Sequence, residues 1–341
     1  MTIQKTASPS RGSGHGVKGR GALRLVSTRG LPRKEWLEIR KQGIGGSDAA
    51  AAVGLNPYQS MLELWLIKTG RDAALPVDNP DDEDSPMYWG SVLEPIVAAH
   101  YTKRTGRKVR RVNAVLQHPD VDKAWMLANL DYQVVADESV QILECKTAGE
   151  YGARLWRDGV PEYIQCQVQH QLAVTGKSVA DVCVLICGQT LQIHRIERDD
   201  ALIANLIELE RRFWEFVVTD TPPPADGSES AGQALQALYP KDNGETLDFV
   251  TDSPLCAVFD ALVSTREELT TLQGVESELK QTLQQAMGEA TGALFHSGFV
   301  SWKRSKDSTV LDVTQLLKDQ PHLLQDYPLT KPGSRRFLVK R

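Results

Sequence analysis

The sequence predicts a mixed α/β or α+β domain with helices packed against a central sheet. Three observations predict it. Helical patterns fill the chain up to about Thr105, three strand patterns then follow one another, and a helix, two strands and a long helix close the block.

The elements are justified in order. "MTIQKTASPSRGSGHGVKGRG" is rich in Gly, Ser and basic residues without apolar periodicity, so 1–24 is expected to be disordered, with structure beginning near Leu25. From Lys34, "KEWLEIRKQG" has helical spacing and stops at a glycine; "GIGGSDAAAAVG" leads into a second helix with Ser47 or Asp48 as the expected N-cap. A third helix covers 59–69, the acidic loop 72–88 follows, and a fourth helix runs from about Ser91 to Thr105, before Gly106. The strand candidates are "RKVRRVNAVLQ", "AWMLANLDYQVVA" and "SVQILECKTA", divided by "HPDVDK" and the turn "ADES". Pro161 opens a helix to about Thr175, strands are expected at 179–187 and 190–197, and a helix at 199–218 completes a domain spanning 25–220. Proline and serine mark 221–256 as a linker. In 257–341, Leu262, Leu269, Leu272, Leu279, Leu283 and Met287 give an amphipathic helix with partial heptad spacing, followed by the hairpin "ALFHSGFVSWKR" and the basic end "GSRRFLVKR".

Composition narrows the class. No stretch approaches the ~18 apolar residues of a membrane span, and no apolar signal core opens the chain, so a cytoplasmic protein is expected. Cys145, Cys166, Cys183, Cys187 and Cys256 include no CxxC, and "CVLIC" lies in an apolar run. Reduced core thiols are expected rather than disulfides, zinc or an iron–sulfur cluster. The net charge of −5 conceals an asymmetry: residues 1–34 carry eight Lys or Arg and no acid, while "DNPDDEDSP" packs five acids into 78–84. Local fields, rather than the total, decide affinity for a polyanion.

The stretch "VQILECKTAG" sets Glu144 and Lys146 into a strand that otherwise reads as buried. With the turn centred on Asp137 and Glu138, Asp131 lies opposite Glu144, and directly opposed residues have Cβ atoms about 4.5–5.5 Å apart. Lys146 shares their face and Cys145 turns to the core. Two carboxylates so close are reconciled by a shared proton or a shared cation. A hard divalent metal with Lys146 beside it, orienting or deprotonating a water and stabilising an oxyanion, would make a phosphodiesterase site. The same spacing also fits a solvated edge-strand pair.

Three further stretches are read both ways. Glu94, in "WGSVLEPIVAAHY", is either a third carboxylate or the partner of Ser91 in a capping box. Gln167, in "PEYIQCQVQHQLAVTG", lies about 100° from the Ile164, Val168, Leu172 stripe and faces a cleft or solvent. Arg40 and Ser47 flank a glycine-rich turn at a helix start, an arrangement suited to phosphate, or are a surface charge and an N-cap.

In this order and at similar spacing, "WLEIRKQGIGGSDAAAAVGLNPY", "WGSVLEPIVAAHY", "ANLDYQVV…ILECKT" and "YIQCQVQHQLAVTG" resemble the YqaJ-type viral recombinase family, related to phage lambda exonuclease within the PD-(D/E)XK nucleases. The resemblance covers about 33–220. It implies a restriction-endonuclease-like core, with Asp131 and Glu144 binding Mg²⁺, helped by the Cys145 carbonyl and by Glu94. It further implies Lys146 activating or positioning water, Gln167 in support, and Arg40 and Ser47 holding a 5′ phosphate. Mn²⁺ is an expected substitute and a pair of ions per site is expected. The implied activity is 5′ to 3′ digestion of linear duplex DNA in phage or prophage recombination inside a bacterial host, at DNA ends, with a single-strand annealing protein as partner and a trimer as the possible assembly. An endonuclease of the same fold and a catalytically silent DNA-binding mediator are the alternatives. One departure stands out: the tight "SPDG" turn of lambda-type enzymes reads "ANLDY", which is expected to run through as a continuous strand.

Overall fold

The computed structural model describes residues 21–76, 79, 81–331 and 333–340. The chain divides into two compact units after Tyr239. The disorder expected over 1–24 falls mostly outside the described residues, and the first strand opens slightly earlier than Leu25.

In the first unit the elements are β1 (Leu23–Ser27), α1 (Arg33–Lys41), α2 (Gly46–Ala52), α3 (Met61–Lys68), α4 (Pro86–Thr105), β2 (Lys108–Arg111), β3 (Ala114–Gln117), β4 (Leu127–Asn129), β5 (Tyr132–Val135), β6 (Ile142–Ala148), α5 (Glu150–Ala153), α6 (Glu162–Thr175), β7 (Val179–Ile186), β8 (Thr190–Glu197), α7 (Asp200–Val218) and α8 (Glu229–Leu238). The central sheet has the order β2-β5-β6-β7-β8, and β6 and β7 run parallel within an otherwise antiparallel set. Alternation along β6 decides which helix covers which face. Leu143 and Cys145 pack with Val97, Ala98 and Tyr101 of α4. Ile142, with Val182 and Val184 of β7, packs with Ile164, Val168 and Leu172 of α6. A third cluster, joining Ala51 and Ala52 of α2 to α3, α7 and Ala234 of α8, fastens the N-terminal helices to the domain.

A second sheet, β1-β3-β4, stands beside the first. The expected continuous strands therefore break in two places. The chain leaves β2 for β3 at Val112–Asn113 and leaves β4 for β5 at Leu130–Asp131, so Asp131 sits at a bend between sheets instead of within a continuing strand. The Val112 N–H donates to the Asp131 carbonyl at 3.1 Å and holds the two crossings together.

Two helix starts and one expected linker differ from expectation. α2 is capped by Gly45, because the Asp48 carboxylate at N3 reaches back to accept from the Gly45 N–H at 2.9 Å. α4 begins at Pro86 with Ser85 as N-cap, so Ser91 and Glu94 lie inside the helix and the capping-box reading of Glu94 falls. The stretch 221–256 is not only linker: α8 lies within it, packs on α3 with Ala234 in the shared cluster, and extends the domain to Tyr239. Cys187 and Cys256 also correct the expectation of core thiols: Cys187 is exposed, with a positive φ of 49° at the β7–β8 turn, and Cys256 is only half-buried. All five thiols are free.

The second unit holds α9 (Ser253–Met287), the hairpin β9 (Gly292–Phe295) and β10 (Gly298–Ser301), and two short helices, α10 (Val313–Asp319) and α11 (Leu323–Asp326). α9 carries the expected leucine spacing in one helix of 35 residues. Among the described residues no helix is long and apolar enough to cross a membrane.

Candidate active site

The site forms where β5 and β6 part. Tyr132 pairs with Leu143 and Gln133 with Ile142, which is the register that sets Asp131 opposite Glu144. Beyond Tyr132 the pairing stops, and the Asp131 Oδ2 takes over the missing strand's part by accepting from the Cys145 N–H at 2.8 Å. In extended backbone the N–H and C=O of one residue point to the same edge, so the Cys145 carbonyl faces this opening too. Glu94 arrives from α4 on the other face of the sheet. Asp131, Glu144, Cys145, Lys146 and Glu94 thus line one pocket of about 280 Å³, together with Met87.

Glu144 is buried and its carboxylate is held from α6. Gln167 Nε2 donates to Glu144 Oε1 at 2.5 Å, and Gln171 Nε2 donates to Oε2 at 2.9 Å. Lys146 Nζ lies 2.8 Å from Glu144 Oε1 and donates to Gln167 Oε1 at 2.9 Å. The solvated-edge reading of Glu144 and Lys146 therefore fails, as does the solvated reading of Gln167. Gln171 went unrecognised in the sequence, although it lies one helical turn from Gln167, the i, i+4 spacing that places two side chains on one face.

The electrostatics are those of crowded acids. Burial first, then the charge of Glu144, hold the Asp131 carboxyl well above the usual carboxylate range, against the pull of Lys146 and the Cys145 N–H. Burial also raises Glu94, partly offset by Arg111. Burial opposes charge on Lys146, yet Glu144 and Asp131 raise its pKa overall, which favours the ammonium form.

Asp131, Glu144, Glu94 and the Cys145 carbonyl form an all-oxygen donor set of the kind that suits Mg²⁺ or Mn²⁺. Glu94 Oε1 is buried without a hydrogen bond, although Arg111 Nη2 approaches it to 3.2 Å as an ion pair. The donors fit a divalent ion in kind and in surplus charge. As placed, no three His, Cys, Asp or Glu side chains among the described residues converge tightly enough to ligate one ion.

Arg40 and Ser47 are brought together as expected, but in a neighbouring pocket of about 500 Å³ that shares Met87 with the carboxylate pocket. Arg40 Nη2 donates to Ser47 Oγ at 2.8 Å and to Asp48 Oδ1 at 2.6 Å, while its guanidinium lies 4.8 Å from the Trp36 ring centroid. Asp48, which its position suggests only as a cap, also anchors Lys68, whose Nζ donates to Asp48 Oδ2 at 2.6 Å and to the Arg40 carbonyl at 2.8 Å. Burial alone would raise the Asp48 carboxyl, but Arg40 and Lys68 hold it well below its ordinary value. Lys68 is drawn the other way, burial lowering its pKa against the pull of Asp48. The two pockets are joined through helix packing: a Cβ on Gly46 would lie 3.1 Å from Gln171 Cγ and 3.4 Å from Gln167 Cγ.

A mixed sheet with covering helices, presenting two acids, a lysine and a helix glutamine in one cleft, defines the class. The chain belongs to the YqaJ family. Residues 35–178 match the YqaJ-like viral recombinase domain. Over 321 residues, 93% of this chain and 97% of the relative, it is 35% identical to the uncharacterized protein YqaJ of Bacillus subtilis (strain 168). Among solved structures it is similar to an alkaline exonuclease (LHK-Exo) from Laribacter hongkongensis, at 25% identity and a TM-score of 0.44 over 55% of this chain and 93% of that one. It is also similar to a phage related exonuclease from Haemophilus somnus 129PT, at 11% identity and a TM-score of 0.35 over 52% and 96%. Those scores are too low to carry function, which rests on the site and the family.

Proposed function

We propose that the protein is a metal-dependent DNA exonuclease that resects linear duplex DNA from its 5′ ends during phage or prophage recombination. The observation that carries the reading is the convergence of Asp131, Glu144 and Lys146 on one opening with Gln167 tying the lysine to the glutamate. Membership of a viral recombinase family supports it.

In this reading Asp131, Glu144, Glu94 and the Cys145 carbonyl hold Mg²⁺, or Mn²⁺ in its place, as a pair of ions. The ion, when bound, would polarise the phosphodiester and lower the pKa of the attacking water. Lys146, kept as an ammonium by its two acids, orients that water and stabilises charge developing on phosphate. Gln167 positions Lys146, and Gln171 positions Glu144. Arg40 and Ser47 hold the 5′ phosphate of the DNA end: the guanidinium is already oriented by Asp48, and Ser47 is exposed beside it. The product would be a 3′ single strand for an annealing protein in the bacterial cytoplasm, with a trimer as the proposed assembly.

A strand-resolved digest of linear duplex DNA, with 5′-phosphate or 5′-hydroxyl ends and with or without Mg²⁺, tests this directly. The expected result is Mg²⁺-dependent loss of the 5′-phosphorylated strand and none with Lys146→Ala. A fully active Lys146→Ala protein would sink the mechanism. Nicking of covalently closed circles would make the enzyme an endonuclease instead.

A further inference from the structure

Lys146 stands at a junction. Besides the carboxylate pocket it lines a larger chamber of about 910 Å³ on the side of α5, and the two share Met87 and Thr147. Aromatic rings stand at several points of the larger chamber's wall: Tyr58, Trp89 at the start of α4, Tyr151 in α5, Tyr163 in α6 and the buried Trp156. Three are left largely in water, with Tyr58 65%, Trp89 49% and Tyr151 82% exposed. Trp89 already satisfies its indole N–H on the Glu83 carbonyl at 2.6 Å, so that bond fixes the ring. Tyr58 stands edge-on to Tyr163 with centroids 5.8 Å apart. Single exposed aromatics are ordinary on a protein surface, but several gathered around one cavity mark a place built for a flat apolar ligand.

We propose that this chamber is a stacking site for nucleobases of the DNA strand whose phosphate reaches Lys146, an inference that rests on the nuclease reading above. A phosphodiester at Lys146 carries a sugar and a base that must lie beyond the small polar pocket, and the adjoining cavity is the aromatic one. Charge distinguishes base from phosphate. Among the described residues the chamber's lining carries Asp84 and Glu150 against the one cation Lys146, so it repels phosphate groups while accepting neutral bases. Arg154 and Arg157, which follow Tyr151 on the exposed surface and make no ion pair among the described residues, supply positive charge for phosphates farther along the strand. Stacking of this kind accepts every base, because every base has a π-face.

The test measures binding of the full chain in EDTA, so that no strand is cut. A single-stranded oligothymidylate is compared with an abasic deoxyribose-phosphate strand of the same length and charge. The wild-type protein should prefer the base-bearing strand by about tenfold for each stacked base. Trp89→Ala and Tyr151→Ala should each shrink that preference and the double variant remove it, while Trp89→Phe and Tyr151→Phe keep most of it. Absence of any preference in the wild type, or an undiminished one in the double variant, overturns the stacking site. Mg²⁺-dependent digestion by the same preparation separates the two claims. Digestion without a base preference overturns the stacking site alone, whereas a base preference without digestion supports it and overturns the nuclease reading.

Discussion

Gln167 Oε1 accepts a hydrogen bond from Lys146 Nζ at 2.9 Å, while the nitrogen of the same amide donates to Glu144. One helix side chain thereby sets the distance between an ammonium and a carboxylate that come from one strand. Replacing it with leucine keeps the volume and removes both bonds. Gln167→Leu should slow digestion of linear duplex DNA about 10- to 100-fold, the scale typical of residues that orient metal-site ligands, and shift stability by only about 1 kcal/mol. Initial rates and urea midpoints measured on the same protein check both halves; an unchanged rate would remove Gln167 from the mechanism.

Two glycines of "GIGG" should rank differently. A Cβ on Gly43 would fall 2.3 Å from the Trp125 carbonyl oxygen, and that backbone is pinned because the Ile44 N–H donates to the same oxygen at 2.7 Å. A Cβ on Gly46 would meet Gln171 Cγ at 3.1 Å, a side chain that can give by a few tenths of an ångström. Gly43→Ala should therefore cost several kcal/mol and lower soluble yield, whereas Gly46→Ala should fold at a cost of about 1 kcal/mol. The displaced Gln171 in Gly46→Ala should still reduce the digestion rate, because its amide holds Glu144. Denaturant midpoints give the ranking.

Most of the fold and much of the site could be read from local pattern, and the failures share a cause. The register placing Asp131 opposite Glu144 follows from turn length and side-chain alternation, both local. The bend at Leu130–Asp131 does not, because "ANLDYQVV" has strand character throughout and only the second sheet pulls the chain away. Ser91 and Glu94 match a capping box and so point to too late a start for α4; Ser85 followed by Pro86 is the better start signal. Gln171 and Asp48 were missed for a different reason. Each is a polar residue whose role exists only once α6 packs on β6, or α3 on α2, to supply its partner.

Two buried ion pairs should shape the pH dependence of stability from opposite ends. His170 has both ring nitrogens on acceptors, Nδ1 at 2.7 Å from Glu210 Oε1 and Nε2 at 2.8 Å from the Leu127 carbonyl. Burial opposes its charge, but Glu210 and these bonds raise its pKa overall. A raised folded pKa gives stability that is complete below the unfolded value of about 6.5 and is lost as pH rises through the folded one. Asp48, held low, gives stability present above its unfolded value of about 3.9 and lost as pH falls from there. Urea midpoints across pH should show both limbs. His170→Gln should flatten the alkaline limb, and Asp48→Asn the acid one. Asp48→Asn should in addition cost about 3–5 kcal/mol at neutral pH, because Lys68, with its side chain 2% exposed, loses its counter-charge.

Asp131 should reveal the metal site through stability as well as activity. Its carboxyl is held high by burial and by Glu144, so in the absence of a cation the folded state carries a repulsion that the unfolded chain does not. Asp131→Asn removes that charge and keeps an oxygen to accept from the Cys145 N–H, as Oδ2 does at 2.8 Å. The variant should therefore melt above the wild type in EDTA. Adding Mg²⁺ or Mn²⁺ should raise the wild-type melting temperature, since an ion that binds only the folded state stabilises it, and should leave Asp131→Asn nearly unmoved. Digestion of linear DNA should be lost in the same variant. A gain in metal-free stability paired with loss of both metal response and activity is the signature of acids assembled for a cation at the expense of the fold, whereas acids that serve the fold would give a variant that melts lower in EDTA.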